Sequence, residues 1–211
     1  TFKLGDRVLI SCISSCGKCV NCKKGMYSHC ENGGGWMQGN LIDGTQAEYV
    51  LIPFADNSLY AIPPGADEEA LVMLSDILPT GLECGVLNGQ VKPGDTVAIV
   101  GGGPIGLAAL LTAQFYSPAE VIMIDIDGNR LEVSKQFGAT RTVNNSDGNA
   151  GEKVMALTCA RGVDDGSWAI GVPASVAIDK PVVGAGGQID KLCGHATQHR
   201  ALLAEREDAN A

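Results

Sequence analysis

The stretch from Lys92 to Asp125 constrains the fold more than any other. The turn Lys92-Pro93-Gly94-Asp95 leads into the apolar run Thr96-Val97-Ala98-Ile99-Val100. Three glycines follow, then an apolar helical segment from Ile105 to Phe115, and then a second apolar run, Val121-Ile122-Met123-Ile124-Asp125. Continuous apolar strands that do not alternate with polar residues are strands buried on both faces. The alternation continues with a helix at Asn129 to Phe137, a short strand near Thr140 to Val143, a helix from Glu152 to Ala160, and strands near Ala169 and Gln188. Strands alternating with helices predict an α/β unit, a parallel sheet with helices on both faces.

Within that pattern Gly101-Gly102-Gly103-Pro104-Ile105-Gly106 fits G-x-G-x-x-G, following a strand and opening a helix. In this context Gly101 permits the tight turn, Gly103 lets the backbone approach a diphosphate, and Gly106 allows close helix–strand packing. Pro104 and Ile105 complete the helix N-terminus, where unpaired N–H groups hold the anion. The simpler reading of the same glycines is a tight strand–helix turn. Asp125, 24 residues after Gly101, ends the second strand, where a carboxylate accepts the adenosine ribose hydroxyls and repels a 2′-phosphate. NAD is therefore expected over NADP. Arg130 either covers the adenine side of that ribose or is an exposed helix cation.

The first 78 residues read differently. Short β-type runs, Arg7-Val8-Leu9-Ile10, Ala47 to Ile52 and Leu59-Tyr60-Ala61-Ile62, lie among glycines and prolines and predict part of a β-rich domain. Acids at Asp67, Glu68 and Glu69 open a helix, and a second helix is expected from Thr80 to Leu87. The expected division is residues 1–78 and 79–211. Beyond about Ser167 the pattern weakens, and Thr197 to Ala211 reads as a helix or a frayed tail.

Four of the eight cysteines crowd into Cys16-Gly17-Lys18-Cys19-Val20-Asn21-Cys22 and Cys30, a C-x2-C-x2-C-x7-C spacing. Four thiolates at this spacing suit a tetrahedral zinc ion with no open position, and hence a structural one. Free or disulfide-paired cysteines are the alternative, and an iron–sulfur cluster lacks its usual further Cys-Pro. A four-cysteine module can also bind nucleic acid, and Lys18, Lys23 and Lys24 lie nearby. A formal charge of −9 instead repels phosphates and anionic lipid, so neither nucleic acid nor membrane is an expected partner. No stretch approaches the roughly 20 apolar residues of a membrane helix, and a cytoplasmic location is expected.

Taken together, Gly5-Asp6-Arg7-Val8, the cysteine loop, Gly44-Thr45-Gln46-Ala47-Glu48-Tyr49-Val50 and Gly101 to Gly106 resemble the zinc-dependent medium-chain alcohol dehydrogenases, from the first residue to about Gly187. The resemblance implies a Rossmann-type sheet preceded by part of a GroES-like β-rich catalytic domain. It makes Cys16, Cys19, Cys22 and Cys30 the structural zinc ligands. It places Asp76, otherwise a helix-terminal carboxylate, at a protein ligand of the catalytic zinc, and Thr80 near the nicotinamide. The activity implied is hydride transfer between NAD and a small alcohol, aldehyde or ketone, in a dimer or tetramer. In that family the first catalytic cysteine and a Gly-His-Glu segment lie upstream of the Gly-Asp-Arg-Val turn, and more sheet follows the end reached here. None of His29, His195 and His199 sits where the zinc-binding histidine belongs. The expectation is a chain truncated at both ends, holding at most one zinc tightly. The alternative is a non-catalytic, zinc-stabilised dinucleotide-binding protein.

Overall fold

A computed structural model of the chain describes residues 2–169 and 182–191. It divides into two compact units, Thr1–Asp76 and Ile77–Ala211.

In the first unit β1 (Val8–Ile10) pairs antiparallel with β2 (Leu59–Ala61), Leu9 opposite Tyr60. Between them lie the short helix α1 (Val20–Lys23), a 3-10 turn Tyr27–His29, and α2 (Ala55–Ser58), which leads directly into β2. Helix α3 (Glu68–Leu71) starts where its acids predict, capped by the Asp67 side chain, which accepts from the amides of Glu69 and Ala70. It tightens after one turn into the 3-10 segment Val72–Ser75. Ala47 to Ile52, expected as a strand, is not one. A strand exists through the hydrogen bonds of its neighbour, and among the described residues this segment has no ladder partner. Tyr49 and Leu51 stay in solvent, at 91% and 77% exposure, while Val50 and Ile52 are only half-buried.

The second unit is built on five parallel strands, β3 (Thr96–Val100), β4 (Glu120–Asp125), β5 (Arg141–Asn144), β6 (Val163–Trp168) and β7 (Val183–Lys191), in the order β5-β4-β3-β6-β7. Successive side chains of β3 and β4 go to opposite faces. Val97, Ile99, Val121 and Met123 share one core with Leu110, Ala113 and Leu131, whereas Ala98, Val100, Ile122 and Ile124 share the other with Val143, Ala150 and Val154. Each fully buried Val, Ile or Met contributes roughly 1.5–3 kcal/mol, which is why both faces must be covered. Helices α5 (Pro104–Ala113) and α6 (Gly128–Gln136) cover the first face, and α7 (Ala150–Leu157) the second. This is the Rossmann-type, two-faced parallel sheet expected from the sequence.

Helix α4 (Ile77–Leu82) runs into a π-helical turn, Glu83–Leu87. It lies against α5 through Gly81, where a Cβ would come within 2.6 Å of the Ala109 nitrogen. That second layer explains why α5 is apolar all round. Strand order reverses beside β3, with β4 on one side and β6 on the other. The crevice outside the carboxyl ends of β3 and β6 is therefore where a parallel sheet of this topology takes a ligand.

Candidate functional site

Strand β3 delivers the chain into that crevice at Gly101, whose φ of +107° only glycine adopts without strain. The Gly101 amide donates to the Ile124 carbonyl at 2.8 Å, tying the turn to β4. Helix α5 begins with Pro104 in its first turn, and the Leu107 amide donates to the Gly103 carbonyl at 2.9 Å. The amides of Gly103, Ile105 and Gly106 precede that bond and lie at the positive end of the helix dipole. At Gly103 a Cβ would meet nothing within 4 Å, so the space over the turn is open. At Gly106 a Cβ would lie 1.8 Å from the Gly101 carbonyl oxygen, and only glycine lets the helix start so close to the strand.

Asp125, last residue of β4, is 5% exposed. Its Oδ2 accepts the Gly102 amide at 2.6 Å, and its Oδ1 accepts the Asp127 amide at 2.8 Å. The carboxylate is thus beside the glycine turn. Each oxygen keeps further acceptor capacity, since an ionised carboxyl has about four lone-pair sites. Arg130 Nη1 lies 3.9 Å from Asp125 Oδ2 with its side chain 58% exposed, and the Arg130 Cβ would be 3.2 Å from a Cβ on Gly102. Gly102 and Asp127 are site residues that the motif does not name. G-x-G-x-x-G leaves Gly102 as an "x", and the role of both is carried by backbone amides, which no side-chain pattern reports.

The four cysteines come together as the spacing predicts. Their sulfurs all lie within 4.8 Å of one another, and none is in a disulfide. Cys16 Sγ and Cys22 Sγ are 3.9 Å apart, against about 3.8 Å for the edge of a tetrahedron with 2.3 Å bonds. Backbone amides point at the sulfurs: Lys18 and Cys19 donate to Cys16 Sγ at 3.4 Å each, and Cys22 donates to Cys19 Sγ at 3.5 Å. Asn32 Nδ2 adds a further donor to Cys16 Sγ at 3.3 Å. The amides of Lys18 and Cys19 draw the Cys16 thiol down to about 6 from an ordinary 9.0, while burial pushes Cys22 up to about 12. The amides of Glu31 and Cys22 lower Cys19. Gly34 lets the chain pass the site, since a Cβ there would lie 2.8 Å from Cys30 Cβ. The donor set, its size and its amide shell all fit a structural zinc ion.

Asp76 closes the 3-10 segment of the first unit, and Cys12 Sγ donates to its Oδ1 at 3.6 Å. The Cys12 amide donates to the Ser75 carbonyl at 3.0 Å, bringing the end of β1 to this turn. A cleft of about 720 Å³ is lined here by Cys12, Gln38, Asp43, Thr45, Ser75 and Asp76. Among the described residues, only the four-cysteine group gathers three or more metal-ligating side chains. His29 lies in the 3-10 turn with Nδ1 3.0 Å from Ser28 Oγ, and His195 and His199 fall outside the described residues. Cys12 and Asp76 are short of the roughly three protein ligands of a catalytic zinc, so these two do not by themselves form such a centre. Thr80 lies in α4 of the second unit, half-buried.

Residues 1–64 match the family model of the alcohol dehydrogenase GroES-like domain. Among solved structures, the zinc-dependent alcohol dehydrogenase 2 from Streptococcus pneumonia, in its apo form, is 55% identical with a TM-score of 0.85, over 92% of this chain and 54% of its own. A solved NAD-dependent alcohol dehydrogenase is 28% identical with a TM-score of 0.77, over 89% of this chain and 53% of its own. Among curated proteins, an alcohol dehydrogenase of Cupriavidus necator is 40% identical over 158 residues, which is 75% of this chain and 43% of that protein. The chain spans about half the length of the relatives it matches. The likeness takes in the GroES-like segment and the parallel sheet alike, and it bears out the resemblance read from the sequence.

Proposed function

We propose that this chain is the structural-zinc loop and dinucleotide-binding part of an NAD-dependent zinc alcohol dehydrogenase of the medium-chain family. The observation that carries the reading is the open space over Gly103 at the start of α5, with the Asp125 carboxylate beside it. In this reading the amides of Gly103, Ile105 and Gly106 hold the diphosphate, and Gly101 supplies the turn that presents them. Pro104 fixes φ at the first helical position without removing a needed donor.

Asp125 takes the ribose hydroxyls on the lone pairs left by Gly102 and Asp127, and a 2′-phosphate would meet its charge. Arg130, exposed beside that carboxylate, covers the adenine side of the same ribose. Thr80 lies near the nicotinamide, and Asp76 offers one carboxylate ligand for a catalytic metal. When bound, the nicotinamide accepts hydride and zinc acts as a Lewis acid on the alcohol oxygen. What these residues contribute is binding, orientation and cofactor choice.

The substrate class is a small alcohol and its aldehyde or ketone, the assembly is a dimer or tetramer, and the location is the cytoplasm. The names of the relatives favour this over a non-catalytic dinucleotide-binding protein. The test is NADH absorbance over a panel of primary and secondary alcohols, made with a protein that joins this chain to the family's upstream zinc-binding segment, together with a cofactor titration. A steady alcohol-dependent rise supports the enzyme. Tight NAD binding with no turnover of any alcohol supports the alternative.

A further inference from the structure

The dipeptide Asn32-Gly33 follows the last cysteine of the metal loop by two residues. Asn32 Nδ2 donates to Cys16 Sγ at 3.3 Å, so a neutral, exposed side chain supplies a hydrogen bond to one of the four sulfurs. Gly33 is exposed with φ +76°, and no atom lies within 4 Å of where its Cβ would be. We propose that Asn32 is a positioning residue for the cysteine site and also its modification site. When the metal leaves, Asn32-Gly33 deamidates, and the carboxylate formed beside Cys16 keeps the metal from being held again.

The chemistry needs only water. The Gly33 backbone nitrogen attacks Asn32 Cγ, the N–Cγ bond forms, and the Cγ–Nδ2 bond breaks. Nδ2 departs as ammonia, carrying the proton lost from the Gly33 nitrogen. Water then opens the cyclic imide, restoring one N–H and leaving aspartate or isoaspartate. No electron is gained or lost. A residue without a Cβ next in the chain leaves the attacking nitrogen unobstructed and the backbone free to turn.

Metal occupancy controls the step through the Asn32 side chain. A metal-bound thiolate holds Nδ2 by a charge-assisted bond, which keeps the amide aimed at sulfur. Without the ion this loop has little apolar packing to fix it, because its folding is coupled to metal binding. Once formed, the carboxylate has no proton to donate and repels a site of four thiolates and one divalent ion, whose net charge is negative. A second Asn-Gly pair provides the contrast. Asn88 is helical, with φ −68° and ψ −37°, and Gly89 is buried against Asp165, whose Oδ1 lies 2.7 Å from a Cβ placed there. That pair has no room to cyclise.

The experiment compares the full chain loaded with zinc and the same chain stripped by a chelator, both aged in mildly alkaline buffer, with isoaspartate located by peptide mapping. Asn32 is expected to convert several-fold faster in the stripped sample and Asn88 slowly in both. The aged, stripped chain should then take back less zinc than a fresh one. Equal conversion of Asn32 in both samples, acceleration at Asn88 as well, or full zinc reuptake after ageing overturns the proposal. Asn32→Asp should weaken zinc retention by roughly 10–100-fold, as loss of a partner behind a ligand does, while Asn32→Gln keeps the donor and resists conversion. Parental zinc affinity in Asn32→Asp overturns the positioning role. If that variant does not fold, the isoaspartate comparison on the unsubstituted chain decides.

Discussion

Asp125 and Gly102, 23 residues apart, are joined by a 2.6 Å hydrogen bond from the Gly102 amide to the Asp125 carboxylate. The acid that ends β4 therefore also holds the turn that follows β3. A side chain assigned by sequence to cofactor choice has a second task in the fold, and the two can be separated.

Replacing Asp125 with alanine leaves the amides of Gly102 and Asp127 without their acceptor in a buried setting. Stability should fall by about 1.5–3 kcal/mol, the range for a hydrogen bond to a charged group. Affinity for NAD and NADP should both drop, with the NAD-over-NADP ratio falling toward unity. Urea unfolding and paired cofactor titrations measure the two effects. An unchanged ratio would remove Asp125 from cofactor choice and leave it a structural role.

Gly103 and Gly106 belong to one motif but should respond oppositely. Gly103→Ala places its Cβ in open space, so unfolding should be close to that of the parent. NAD binding should weaken roughly 10–100-fold, as if one charge-assisted hydrogen bond to the diphosphate were lost. Gly106→Ala drives a Cβ into the Gly101 carbonyl and should cost about 1–3 kcal/mol or more in stability. Thermal unfolding and a binding isotherm on both variants make the comparison.

Most of the second unit was legible because its signals are local. Strand runs of apolar residues, the glycine turn and Asp125 at the end of β4 all follow from patterns within a few dozen residues. The pairing of Asp125 with Gly102 was not legible, since the acceptor is named by the motif and the donor is a backbone amide. In the first unit the cysteine spacing predicted the cluster, because four ligands on one short loop need no long-range information. Ala47 to Ile52 misled for the converse reason: strand composition is local, but a strand needs a partner. The Cys12–Asp76 contact joins residues 64 apart and had no signal in the sequence.

The metal-free loop should be sensitive to pH in a defined direction. Amide hydrogen bonds lower Cys16 to about 6, so its thiolate favours the folded loop above the ordinary thiol range. That contribution is lost as pH falls through about 6. Timed alkylation immediately after stripping, before the loop loosens, should modify Cys16 with a midpoint near pH 6 and leave Cys22, raised to about 12 by burial, until last. Zinc should protect both. Equal reactivity of the two thiols across the neutral range would contradict the arrangement described.

Metal analysis gives a further check. The chain should hold one zinc tightly, at Cys16, Cys19, Cys22 and Cys30, and a chelator should loosen the first unit while leaving the parallel sheet intact. Circular dichroism and metal content read together would show this. Two tightly held ions would mean that Cys12 and Asp76 find a further ligand.

The most direct test of the central claim is amide hydrogen exchange of the chain with and without NAD. Protection should appear at Gly103, Ile105 and Gly106 and around Asp125, and NADP should produce less of it. Exchange unchanged at these amides under saturating NAD, or protection confined to another part of the chain, would contradict the assignment of this crevice to the dinucleotide.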